Sequence, residues 1–116
     1  MKPIFVVAFL IAASCTTANA QKPKAQKFTP KQIHAGAELY EDNCSTCHGE
    51  HMADPGMAFD LRTFPHDQHD RFVNSVSNGK NSMPAWSGSL KPEEIESLWA
   101  YVVAGEKATA KKTDAK

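Results

Sequence analysis

Cys44-Ser45-Thr46-Cys47-His48 reads C-x-x-C-H, and the rest of the chain takes its meaning from this stretch. Two thiols three positions apart, followed at once by an imidazole, form the spacing that attaches a haem covalently. The chemistry explains the pattern. One helical turn presents both sulfurs to the same porphyrin edge, where each adds across a vinyl group. The next residue then carries its ring nitrogen to the iron, which is commonly held by a proximal histidine. Cys44 and Cys47 are therefore the expected attachment sites of one haem c, and His48 the expected axial ligand.

Three rival readings of the motif are weaker. A thioredoxin-like redox pair needs a preceding strand and a βαβ pattern, and the sequence has neither. A zinc site would add His66 and His69 to the two cysteines. Eighteen residues separate Cys47 from His66, and that gap and the H-x2-H spacing both miss the usual finger ranges. A disulfide across two residues closes too short a loop to stabilise much.

The second axial ligand is sought among Met52, Met57, Met83 and the remaining histidines. Met52 lies four residues after His48, too close for the chain to round a porphyrin. Pro55-Gly56 marks a turn that keeps Met57 on the His48 side. Met83 lies 35 residues beyond His48, and Pro84 holds its loop extended. Met83 is the expected ligand, with a bis-His or five-coordinate iron as the alternatives. A His/Met pair raises the reduction potential and suits electron transfer.

Upstream of the motif, the 116-residue chain opens with a secretory signal. Lys2 gives the positive region, residues 4–13 the apolar run, and Ala18-Asn19-Ala20 the cleavage pattern. The run is shorter than the roughly 20 residues a spanning helix needs. Cys15 raises a lipoprotein signal, but Ala12 stands where a Leu-type residue belongs. The expected divisions are a signal peptide over 1–20, a flexible basic segment over 21–28, one domain over 29–105 and a disordered basic tail over 106–116.

Within that domain every periodic stretch is helical. Thr29-Pro30-Lys31-Gln32 starts a helix with a capping box and Pro at its first position. Ile33, Ala37 and Tyr40 form its apolar stripe, and Gly36 beside it predicts a close helix contact. A loop with Met57, Phe59 and Leu61 is expected to cover the haem, with the Pro55 carbonyl accepting from His48. A second helix is expected over residues 66–77, with Phe72, Val73 and Val76 inward and Gly79 as its stop. His66, Asp67, His69 and Asp70 near its start read as a solvated face. A third helix runs from Pro92 to about Ala104, ended by Gly105, with Ile95, Leu98, Trp99, Tyr101 and Val102 apolar. Lys91 is a poor N-cap for it. The expected fold is all-α, with three principal helices around the haem. A domain this small needs the haem as part of its core, so the apo-protein should fold poorly.

From Gln32 to Gly105 these residues resemble the small monohaem class I cytochromes c. Gly36 and Tyr40 resemble the family's pair on the N-terminal helix, and Leu98 and Tyr101 their partners on the C-terminal helix. Asn78-Gly79-Lys80-Asn81-Ser82-Met83-Pro84-Ala85-Trp86 resembles its distal Met loop. That likeness implies Met83 as ligand, with Asn81 or Trp86 as neighbours that tune the site. The family's Gly-Pro-Leu run after the motif is absent. Asp60-Leu61-Arg62-Thr63-Phe64-Pro65 and the Met83 loop are also similar to soluble cytochromes that serve quinoprotein (PQQ) alcohol dehydrogenases.

The function this implies is one-electron carriage in the periplasm, not catalysis. The expected donor is a periplasmic dehydrogenase, with PQQ-dependent enzymes favoured by the finer likeness. The expected acceptor is a terminal oxidase or another cytochrome. The alternative is a haem sensor or catalytic haem protein with a displaceable distal ligand. A monomer is expected, with no nucleic-acid partner and no stable membrane insertion. Charge supports selective docking. Residues 32–105 hold four Lys/Arg against eleven Asp/Glu, a net of −7, although the whole chain balances to zero. Such a body steers toward basic surfaces.

Overall fold

The computed structural model describes residues 26–53 and 56–105. The expected signal peptide, Cys15, Pro55 and the basic tail lie outside the described residues. Among the described residues four α-helices follow in order: α1 (Pro30–Asn43), α2 (Ser45–His48), α3 (His69–Asn78) and α4 (Pro92–Ala104). Short 3-10 turns occupy Glu50–Met52 and Leu61–Thr63. Among the described residues, the extended pairing is one isolated bridge between Lys80 and Met83. The all-α expectation holds, with α1, α3 and α4 as the principal helices.

Local chemistry sets the helix starts. Thr29 Oγ1 accepts from the Gln32 N–H at 3.2 Å, and Pro30 opens α1. The Lys91 side chain has no oxygen with which to cap α4. Glu94 compensates, its carboxylate accepting from the Lys91 N–H at 2.7 Å. The expected second helix begins at His69, three residues late. The Gln68 N–H is held by the Pro65 carbonyl in a turn (3.2 Å), and Gln68 itself is off helical geometry.

Packing then joins α1 to α4. Gly36 is buried where the two helices touch. A Cβ there would lie 2.6 Å from the Ser97 carbonyl carbon and 2.9 Å from Tyr101 Cβ. Only a residue without a side chain lets the backbones meet this closely. Beside this contact the Tyr40 and Tyr101 rings lie 5.3 Å apart, tilted by 54°. Both are almost fully buried, as are Leu98 and Trp99.

Trp99 is the hub of the second contact. Phe72 of α3 packs 5.1 Å from it, and Phe64 meets it edge-on at 6.0 Å. Its indole N–H donates to Gln26 Oε1 at 2.6 Å, and Gln26 Nε2 donates to the His66 carbonyl at 3.1 Å. His66, Asp67 and Asp70 are exposed, as a solvated face requires, but His69 departs from that reading. Its ring lies edge-on to Trp99 at 5.5 Å, and its Nε2 is 2.9 Å from the Glu96 carboxylate. Glu96 and Trp99 stand three apart on α4 and so share a face, and α3 docks its first turn there. No described helix is long and apolar enough to cross a membrane.

Candidate functional site

The C-x-x-C-H motif is held on a single turn at the end of α1. The Cys44 N–H donates to the Tyr40 carbonyl at 2.8 Å. The Cys44 carbonyl in turn accepts from the N–H of Cys47 (3.2 Å) and of His48 (2.9 Å). Gly49 ends the turn with φ of 87°, a conformation that suits glycine. The Tyr40 hydroxyl donates to the Gly49 carbonyl at 2.6 Å, so a core side chain of α1 secures the residue after His48. Burial, with Cys44 and Glu41 nearby, pushes that hydroxyl far above its ordinary range and keeps it a donor.

The donor set fits a covalently held haem. Cys44 and Cys47 form no disulfide, and the first is half-buried and the second exposed. Burial, then the neighbouring Cys47 and Glu41, push Cys44 up to about 11, so it is a thiol at neutral pH. His48 Nδ1 lies 3.0 Å from the Phe59 carbonyl. A carbonyl oxygen only accepts, so Nδ1 carries a proton, and in the neutral ring the lone pair is on Nε2. That is the tautomer a haem ligand needs, with the second nitrogen oriented by an outer partner.

Among the described residues the carbonyl that meets His48 Nδ1 is that of Phe59, while the expected Pro55 lies outside them. The physical reason lies in the next turn. Asp60 starts the Leu61–Thr63 turn, its carboxylate accepting from the Arg62 N–H at 3.0 Å. The reversal leaves the preceding carbonyl facing His48, while the Phe59 ring packs edge-on against Phe64 at 6.1 Å. Of the three residues expected to cover the haem, Met57 is 90% and Phe59 52% exposed, and Leu61 is half-buried.

Met83 comes from a separate part of the chain, a tight hairpin after α3. The Lys80 N–H donates to the Met83 carbonyl (3.1 Å), and the Met83 N–H returns the bond to Lys80 (3.0 Å). Asn81 turns the chain with φ of 54°. Gly79 precedes it with φ of 79°, and a Cβ there would lie 2.7 Å from the Met83 carbonyl oxygen. Beyond the hairpin, the N–H groups of Trp86 and Ser87 donate to the Val76 and Ser77 carbonyls at 2.9 and 3.3 Å, which caps α3. Met83 and Trp86 are half-buried. Met52, by contrast, is 3% exposed and belongs to the core.

The structure thus brings Cys44, Cys47 and His48 together on one turn and builds Met83 into another element. What sequence reasoning missed is the part that the Phe59 carbonyl, and the Asp60–Arg62 pair beside it, play around His48. A signal existed, because Asp two positions before a backbone donor is a common turn initiator.

Comparison with known proteins gives a consistent picture. The family model described as cytochrome c oxidase, cbb3-type, subunit III matches residues 31–102. The quinohemoprotein alcohol dehydrogenase ADH-IIG of Pseudomonas putida is 32% identical over 98 residues. That match takes in 75% of this chain and 14% of the dehydrogenase, so the chain spans a small part of that protein. Cytochrome c6 of Limnospira maxima is 34% identical over 80 residues, 61% of this chain and 90% of that protein. Among solved structures, ADH-IIG of Pseudomonas putida HK5 superposes with a TM-score of 0.60 at 28% identity, over 84% of this chain and 16% of that one.

Proposed function

The chain belongs to this family and is a small class I cytochrome c, and from that we propose that it is a periplasmic one-electron carrier. The observation that carries the reading is the single turn bearing Cys44, Cys47 and His48, with His48 Nδ1 donating to Phe59 and Nε2 left for a metal. Cys44 and Cys47 hold the haem as thioethers, His48 ligates its iron, and Met83 supplies the second ligand. When bound, this group supplies reversible one-electron transfer at a raised potential. The polypeptide's part is to hold both ligands still. Tyr40 and Phe59 do so for His48, and the Lys80–Met83 pairing does so for Met83. The division into a signal peptide over 1–20 and a cytochrome domain over 29–105 belongs to the same proposal.

The donor is a periplasmic dehydrogenase, in this reading a quinoprotein that oxidises alcohols, and the acceptor a terminal oxidase or another cytochrome. Two facts support the donor. The relative ADH-IIG is named a quinohemoprotein alcohol dehydrogenase. Residues 32–105 carry a net charge of −7, and Glu38, Glu41 and Asp42 of α1, with His34, His51 and Tyr101, line a groove of about 530 Å³. Such a face favours a basic docking surface.

Absorbance spectra of the secreted protein, oxidised and reduced, test the site. A low-spin haem spectrum with a Met-to-ferric-iron charge-transfer band is expected, lost in Met83→Ala. A denatured mass equal to the bare polypeptide would end the reading. Stopped-flow reduction by a quinoprotein alcohol dehydrogenase, slowed by salt, tests the partner. The absence of transfer would remove the donor and leave the carrier.

A further inference from the structure

The carbonyl that orients His48 belongs to the peptide between Phe59 and Asp60. A peptide unit is planar and stiff, so whatever fixes residue 60 also aims that oxygen. Residue 60 is bound from several sides. Asp60 Oδ1 accepts from the Arg62 N–H at 3.0 Å and from Arg62 Nε at 2.9 Å. Asp60 Oδ2 accepts from Arg62 Nη2 at 3.0 Å. The Asp60 carbonyl accepts from Thr63 Oγ1 at 2.8 Å and from the Thr63 N–H at 3.1 Å. Fork-to-fork pairing of this kind gives geometric specificity as well as attraction.

The pair is solvent-facing, with the Asp60 and Arg62 side chains 29% and 51% exposed. Exposed ion pairs contribute little to stability. A stability role therefore does not account for so many bonds on one residue, whereas a positional role does. We propose that Asp60 is the positioning residue of the proximal ligand: with Arg62 it locks the 59–60 peptide, and so sets the direction and strength of the His48 Nδ1–H···O=C bond. This deepens the proposed function and rests on its assignment of His48 to the iron.

The expected consequence has a sign. An outer hydrogen bond raises the basicity of a ligating imidazole and favours the more highly charged metal. Loosening the 59–60 peptide weakens that bond and raises the reduction potential. Asp60→Ala in the holo-protein should move the ferric/ferrous equilibrium by about threefold, roughly 28 mV for one electron. Exchange of the His48 Nδ1 proton, followed by NMR, should quicken while the melting temperature stays near that of the parent. Asp60→Asn retains an acceptor for the Arg62 backbone N–H and should recover most of the shift. Arg62→Gln is the second variant if Asp60→Ala does not mature, with a smaller rise expected.

An unchanged potential and unchanged proton exchange in these variants, with a normal haem spectrum, would overturn the inference alone. Equal shifts in Asp60→Ala and Asp60→Asn, tracking a fall in melting temperature, would also overturn it, since general loosening would then be the cause. A parent protein without His-ligated haem would overturn the proposed function as well, and its spectrum would show this before any variant is made.

Discussion

The segments that present the two proposed ligands are secured in different ways. On the His48 side, Gly49 and residues 56–64 are held largely by side chains, with two main-chain turn bonds, Thr63 to Asp60 and Phe64 to Leu61, beside them. The Asp60 carboxylate grips Arg62, the Phe59 ring packs on Phe64, and the Tyr40 hydroxyl holds Gly49. On the Met83 side, residues 79–90 are held by backbone. Lys80 and Met83 exchange two bonds, Trp86 and Ser87 cap α3, and the Leu90 N–H donates back to the Trp86 carbonyl at 2.8 Å. A loop built on side-chain bonds depends on residue identity at several positions. One built on main-chain bonds tolerates most side chains, except where φ is positive or space is missing. Apart from the proposed ligand Met83 and the buried Leu90, the distal loop should therefore be sensitive chiefly at Gly79 and Asn81, while the proximal loop should respond to changes of charge and of hydroxyl.

The largest expected effect removes the platform beneath both segments. Gly36→Val drives a side chain into the Ser97 backbone and should destabilise the protein by about 3 kcal/mol. Chemical denaturation of the holo-protein measures this, and a loss under 1 kcal/mol would mean that α1 and α4 do not meet as described.

Gly79→Ala separates the two segments. Its φ of 79° and the 2.7 Å approach to the Met83 carbonyl should cost about 1–3 kcal/mol. The ferric Met-to-iron band should weaken while the thioether-linked haem and His48 ligation persist. Asn81→Gly accepts the same positive φ and should leave the band intact. If both variants behave alike, the backbone account of the distal loop is wrong.

Tyr40→Phe probes the proximal side with a smaller change. Losing the bond to Gly49 should cost about 1 kcal/mol, read by denaturation. The distal charge-transfer band should not move.

The smallest effect is a pH dependence at the base of α3, the helix that carries the distal hairpin. The Glu96 carboxylate, helped by Asp70, holds the His69 pKa above its ordinary 6.5. The protonated state is favoured on folding, so this contribution is fully present below pH 6.5 and declines as pH rises through the raised value. Melting temperatures from about pH 5.5 to 9 should show a shallow alkaline decline that His69→Asn flattens. A decline of equal size in that variant would assign it elsewhere.

The parts of this molecule that were legible in advance are those written over a few neighbouring residues. C-x-x-C-H, Thr29-Pro30, Pro92 with its following acids, and Gly36 inside an apolar stripe each state a local rule, and each appears where it was read. The start of α3 was misplaced because a turn at Pro65 competed with helical periodicity. His69 was assigned to solvent because nothing near it in sequence announces Glu96, 27 residues away. Gln26, 73 residues from Trp99, was equally silent.

Local sequence alone carried the proposal of haem c chemistry, the all-α class and the acidic balance of the body. These follow from covalent spacing, helical period and composition, which do not depend on distant contacts. The tertiary structure decided which carbonyl meets His48, what aims that carbonyl, and how α3 is docked on α4. Those depend on the direction of single peptide groups and on side chains brought together by chain reversal. The one residue that best divides the two is Phe59. Its sequence marks it as an apolar cover, but its main-chain oxygen, turned inward by the Asp60–Arg62 pair, is what the site uses.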